Sequence, residues 1–230
     1  MSFFRLPHVV TAAALLSAAS LACALSLSDL SSKDATSGVK NALEKGATVA
    51  VAKLGVQDGF LNNDKVRIGL PGPVEKAKPI LKMLGQSKRV EELEVSMNHA
   101  AESAVAQAKP LLLDAVKNMS VTDAKNILTG GETSVTEFFR GKTSASLTTK
   151  FLPIVKKITD GNGLSAQYNT LMSKANASGL TKENATVEDY VTQRALDGLY
   201  TIIADEEKAI RADPVGTGSA ILGKVFGAVK

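Results

Sequence analysis

Reactive side chains are scarce in this chain. Among 230 residues there is one cysteine, there are two histidines, and tryptophan is absent. Cys23 and His8 both lie before residue 25, so the rest of the chain holds no thiol and a single imidazole, His99. For residues 25–230 this excludes disulfides, thiolate catalysis and cysteine-ligated metal. One histidine also falls short of a His-rich zinc site, and no metal or cofactor is expected. No Gly-x-Ser-x-Gly nucleophile elbow occurs. Aromatic residues make up 4% of the chain, and its formal charge of +4 is spread without a basic block. A nucleic-acid partner, which needs a basic stripe and often stacking aromatics, is therefore not expected.

What is present at the start is a targeting pattern. "MSFFRLPHVVTAAALLSAASLACA" has one basic residue, Arg5, and no acid. An apolar run from Val9 to about Ala19 follows, and then small residues at Ala22 and Ala24. This reads as a secretory signal peptide over residues 1–24, cut after Ala24, with residues 25–230 forming a single helical domain in the periplasm. Lipid anchoring through Cys23 is the alternative, but Ser20 stands where a lipobox usually has leucine. Beyond this segment no apolar run approaches the length of a transmembrane helix.

The remaining chain has helical periodicity almost throughout, which predicts an all-α, bundle-like fold. Val39, Leu43, Ala47, Ala50 and Leu54 share one face, and Gly55 follows as a stop. Pro73 is suited to open a helix carrying Val74, Ala77, Ile80, Leu81 and Leu84, ended by Gly85. Val90, Leu93, Met97, Ala101 and Ala104 form the next inner face, with Glu91, Glu94, Asn98 and Glu102 on or near the other. Pro110 kinks or restarts that helix. Ser120 with Asp123 reads as a capping box, closed by Gly130-Gly131. Ser134 with Glu137 opens another helix, a bend is expected at Gly141, and a break near Pro153. "DGNG" at 160–163 is a turn. Leu164, Tyr168, Leu171, Met172 and Ala175 form a further amphipathic segment. Thr186 with Asp189 starts a long helix carrying Tyr190, Val191, Leu199, Ile202, Ile203, Ala209 and Ile210. Asp213-Pro214 stops it, and Ile221, Leu222, Val225 and Phe226 mark a last helix.

One short extended segment, near 64–70, interrupts this pattern. In "NNDKVRIGLPGP" Val66, Ile68 and Leu70 alternate with Lys65, Arg67 and Gly69, as in a strand. A lone strand leaves its backbone donors and acceptors unpaired. It must pair with another segment, rest on side-chain hydrogen bonds from helices, or recruit a partner chain.

Motifs with chemical potential are incomplete. Gly141-Lys142-Thr143 ends like a phosphate loop, but Thr136 stands where the first glycine is needed and no strand precedes it. Asp160 and Asn162 resemble the first ligands of a calcium loop, but Leu164 and Leu171 occupy ligand positions. His99 and Glu102 lie one turn apart on a helix and could face one ion or one substrate; the simpler reading is a solvated or structurally bonded histidine. Asp205, Glu206 and Glu207 read as a solvated helix face with a Glu207–Arg211 bridge. The candidate ligand-binding residues are Asp64, Arg67, Asn98, Glu102, Tyr190 and Arg194. Asp64 and Arg67 are expected to line a polar pocket against the long helix.

The segments "LSLSDLS", "GFLNNDKVRIGLP", "AKPLLLDAVKNMSVTDAKNILTGG", "TTKFLPIVKK", "DYVTQRALDGLY" and "EEKAIRADPVGTGSAILGKVFG" together resemble the domain of unknown function 4197 family of secreted bacterial proteins. The resemblance implies a helical domain located in the bacterial cell envelope, and it carries over no site residues. With so few catalytic groups, the chain reads as a non-enzymatic binding or envelope-maintenance protein with an unidentified partner. Two alternatives are an enzyme with a carboxylate- and arginine-based site and a carrier of a small apolar ligand in a helical cavity.

Overall fold

The computed structural model describes residues 32–161, 163–177 and 186–213. The expected signal peptide and the expected last helix around 221–226 lie outside these residues. The described residues form eight helices: α1 (Ser32–Leu54), α2 (Gly72–Met83), α3 (Ser87–Val105), α4 (Lys109–Lys117), α5 (Val121–Thr129), α6 (Ser134–Gly161), α7 (Leu164–Ala177) and α8 (Val187–Ala212). The fold is all-α. Among the described residues no helix is long and apolar enough to cross a membrane.

Helical periodicity decides most of the packing. Val39, Leu43, Ala47, Ala50 and Leu54 on α1 are fully buried, as are Leu93, Met97, Ala101 and Ala104 on α3. These residues join the buried faces of α6 and α8 in one apolar cluster. The α6–α8 pairing is the most extensive, and α3 and α1 both pack on α8. Ser120 and Asp123 form the expected reciprocal capping box at the start of α5. Thr186 accepts from the Asp189 N–H at the start of α8. Gly85, at φ 70°, takes the left-handed turn that ends α2, which a side chain would resist.

Two expectations are corrected. First, α6 runs unbroken through Gly141 and Pro153 for 28 residues. Proline removes one backbone donor and crowds the preceding turn. Here the Pro153 ring faces solvent, while Leu147, Phe151 and Val155 hold the opposite face fully buried. The apolar anchorage on both sides of the proline outweighs one missing hydrogen bond. Second, Ile80 and Leu84 are exposed rather than internal; α2 turns only Val74, Ala77 and Leu81 inward. Ser134 opens α6 as expected, with Glu137 in its first turn. The Glu137 carboxylate accepts from Thr133 Oγ1, and Ser134 Oγ donates to the Ile127 carbonyl.

The extended segment is not a β-strand. Residues 64–66 form a turn and 67–70 run without regular pairing. Its alternation is nevertheless visible in burial: Val66, Ile68 and Leu70 point inward, while Lys65, Arg67 and Gly69 are exposed.

Candidate functional site

Residues 58–70 wrap across the polar flank of α3, and that flank supplies the pairing they lack. Asn98 is fully buried. Its Oδ1 accepts from the Ile68 N–H at 2.8 Å, and its Nδ2 donates to the Ile68 carbonyl at 2.9 Å. One side-chain amide thus does what a neighbouring strand would do for one residue. A second donation, to the Glu94 carbonyl, uses the remaining amide hydrogen.

One turn further along α3, Glu102 is also buried. Its Oε1 accepts from the Phe60 and Leu61 N–H groups, and its Oε2 from the Asp58 N–H. This gathering of three donors shapes the turn that follows α1. Asn98 and Glu102, expected on or near the polar face of α3, are therefore core residues. Their polarity is matched to a backbone segment instead of water.

The other candidates reach the same segment from outside. Arg67 Nε donates to Glu94 Oε1 at 2.9 Å. Tyr190 Oη donates to the Gly69 carbonyl at 3.0 Å. The Arg194 guanidinium lies over the Tyr190 ring, 5.3 Å from its centre. Asp64 is exposed. Arg67, Asn98, Glu102 and Tyr190 thus meet on one segment, and the contacts they make there hold its backbone and flank.

His99, on the neighbouring side of α3, is half-buried and sits 3.0 Å from Asp58 Oδ1. This fits the structurally bonded reading, and it brings a residue not singled out by the sequence, Asp58, into the picture. Asp58 has a φ of 63°, an uncommon left-handed value for a residue with a side chain. The Nε2 or Nδ1 atom of His99 and one carboxylate oxygen from each of Asp58 and Glu102 lie within 4.8 Å of one another.

The acidic run on α8 divides by direction. Asp205 pairs with Lys65 and Glu206 with Lys53 at the surface. Glu207 is buried, with its side chain 1% exposed, and bridges Arg211 at 3.0 Å. Its oxygens accept from the Val135 and Thr136 N–H groups and from Thr136 Oγ1. A solvated face was expected for all three acids. Glu207 instead caps the first turn of α6 from another helix, satisfying donors that have no intrahelical partner. The Glu207–Arg211 bridge itself is present as expected.

Two open clefts flank Lys142 on α6. One, of about 480 Å³, is lined by residues including Asp123, Ile127, Gly130, Glu137, Phe138 and Gly141. The other, of about 270 Å³, includes Leu111, Asp114, Asn118, Met119 and Ser146. Lys142 borders both, 3.6 Å from Asp123. Hydrogen bonds from the Ser120 backbone and side chain hold the Asp123 carboxyl below its ordinary value. Gly141-Lys142-Thr143 is ordinary helix here. Thr143 Oγ1 is buried and donates to the Phe139 carbonyl, leaving Tyr200 Oη as the donor in their 2.9 Å contact. Burial pushes the Tyr200 hydroxyl pKa up. By contrast, the space enclosed by Ala42, Gly46, Val135, Ile203 and Ile210 amounts to about 10 Å³, room for about one water.

No curated protein and no solved structure matches the chain. Residues 29–227 match the family described as "Protein of unknown function (DUF4197)", and the chain belongs to that family.

Proposed function

We propose that the chain is an exported, non-enzymatic binding protein of the cell envelope, and that its ligand sits in the cleft along α6. The observation that carries this reading is the cleft of about 480 Å³ between α5 and α6. Its size falls in the range of small-molecule sites, and it combines an apolar wall with a few polar groups. Phe138 and Ile127 give the apolar wall; Asp123, Glu137 and Lys142 give the polar one. Asp114 adds a third carboxylate in the adjoining cleft. Three carboxylates against one ammonium favour a ligand that carries positive charge beside an apolar body. The buried acids and amide elsewhere, Asn98, Glu102 and Glu207, are engaged with backbone groups, which gives the enzyme reading less support. The carrier reading needs an internal cavity, and among the described residues the space between α1, α6 and α8 is too small to serve.

Gly141→Leu tests the cleft. Gly141 lines it, and a Cβ there meets nothing within 4 Å, so leucine fills the cleft without a backbone clash. In a helix interior this change is also favourable by about 0.8 kcal/mol. Native mass spectrometry of protein recovered from its own envelope extract should show a small molecule on the unsubstituted chain and none on Gly141→Leu, with thermal stability equal or higher. Equal retention by both chains refutes the assignment. Export is tested by the N-terminal residue of the recovered protein, which should be Leu25.

A further inference from the structure

We propose that Asp58, His99 and Glu102 form a binding site for one divalent transition-metal ion of the zinc class. Glu207 and Glu102 do the same structural work, each gathering backbone N–H groups from a distant segment. Burying a carboxylate is costly unless its charge is offset. For Glu207 the offset is Arg211, bonded to it through Nε and a terminal nitrogen. For Glu102 there is no lysine or arginine bridge among the described residues. Lys53, Lys65 and Arg67, the cations in the 53–67 segment, pair instead with Glu206, Asp205 and Glu94.

What faces Glu102 is a second carboxylate, Asp58, and an imidazole. Imidazole is a cation only when protonated, so two converging negative charges lack a permanent counter-charge. A divalent ion supplies it. Donors bound to one tetrahedral zinc ion at about 2.1 Å lie about 3.4 Å apart. The three donors here lie within 4.8 Å of one another, so side-chain shifts of about an ångström, open to the partly exposed Asp58 and His99, bring them onto one ion.

The donor set also selects the ion. One imidazole nitrogen with two carboxylate oxygens favours first-row transition metals over calcium or magnesium, which prefer oxygen alone. The surroundings fit as well. Asp58 and His99 side chains are each 38% exposed, so the ion enters from solvent and keeps a water in its fourth position. Glu102 is held from behind by the Phe60 and Leu61 N–H groups, the kind of outer support that orients metal ligands. The site lies on α3 and the turn after α1, apart from the elements that line the α6 cleft.

The test titrates zinc alone into the untagged protein beginning at Leu25, after treatment with a chelator. One ion per chain is expected by calorimetry and elemental analysis. His99→Ala and Asp58→Asn should each weaken binding at least tenfold. Both side chains are partly exposed, so the metal-free variants should keep the parent's helical circular dichroism. Cobalt(II) should give a visible ligand-field band with the parent and none with His99→Ala. Absence of stoichiometric zinc on the parent overturns the proposal, as does unchanged affinity in His99→Ala.

Discussion

A polar side chain that leaves water must find in the protein what water gave it, and Asn98 does so. Its carbonyl and both amide hydrogens are used, two of the three contacts going to one residue, Ile68. Asn98→Ala strands the Ile68 N–H and carbonyl in the interior and opens a small void. We expect a loss of about 2–4 kcal/mol, read as a lower urea midpoint with an unchanged slope. Asn98 shows where sequence reasoning stops at this scale. Its position on α3 is readable from periodicity, but its burial is not. A polar residue at the margin of an apolar stripe reads as solvated, because its partner lies 30 residues away in sequence and carries no side-chain signal. Glu207 was hidden in the same way, its partners being 71 and 72 residues distant.

At the scale of elements, close approach decides which residues are tolerated. Gly198 of α8 faces the turn after α1. A Cβ there would sit 2.5 Å from Phe60 Cε1 and 3.3 Å from Val66 Cβ. Phe60 is fully buried and has little room to yield. Gly198→Ala should therefore cost about 1–3 kcal/mol, measured by thermal unfolding, although alanine is the better helix former.

The junction of α6, α7 and α8 adds a pH dependence. Burial tends to raise the Glu188 carboxyl, but hydrogen bonds from Ser165, its own backbone, Thr159 and Thr186 outweigh it and hold the group below the ordinary 4.5. A carboxyl lowered in the folded state stabilises fully above its unfolded value, and that contribution disappears as pH falls through the folded one. The melting temperature should thus drop as pH falls below about 4.5. Glu188→Gln, which cannot titrate, should start lower at neutral pH and fall less steeply in acid. Asp123 and Asp160, lowered in the same direction, leave part of the slope in place. Sequence patterning located these helices well wherever a cap or an apolar stripe was unambiguous, as at Ser120 and Thr186. It misplaced the interior of α6, where Gly141 and Pro153 look like breaks and only packing against α8 and α3 shows otherwise.

At the scale of the whole molecule, the all-α class and the inner faces of α1, α3 and α8 follow from a period of 3.6 residues, which is written in the order of apolar residues. The candidate metal site does not. Asp58 and His99 are 41 residues apart, and a single histidine carries no spacing motif. Only the fold of residues 58–61 over α3 brings them together. The same holds for the α6 cleft, whose walls come from α5, α6 and the glycines between them.

The side-chain tethers across residues 58–70 have a consequence for the motions of the molecule. Segments without regular secondary structure usually exchange their amide hydrogens quickly, through small local openings. The Phe60 and Ile68 amides are bonded to Glu102 and Asn98, which are themselves locked into α3. To release either hydrogen, the loop must leave α3, and that exposes Phe60, Val66 and Ile68 together. In a hydrogen–deuterium exchange experiment these two amides should rank with the slowest of α3 and α8. Asp64, a few residues away on the exposed turn, should exchange within the dead time. A stretch that lacks helix and strand alike would then report the opening of the entire core.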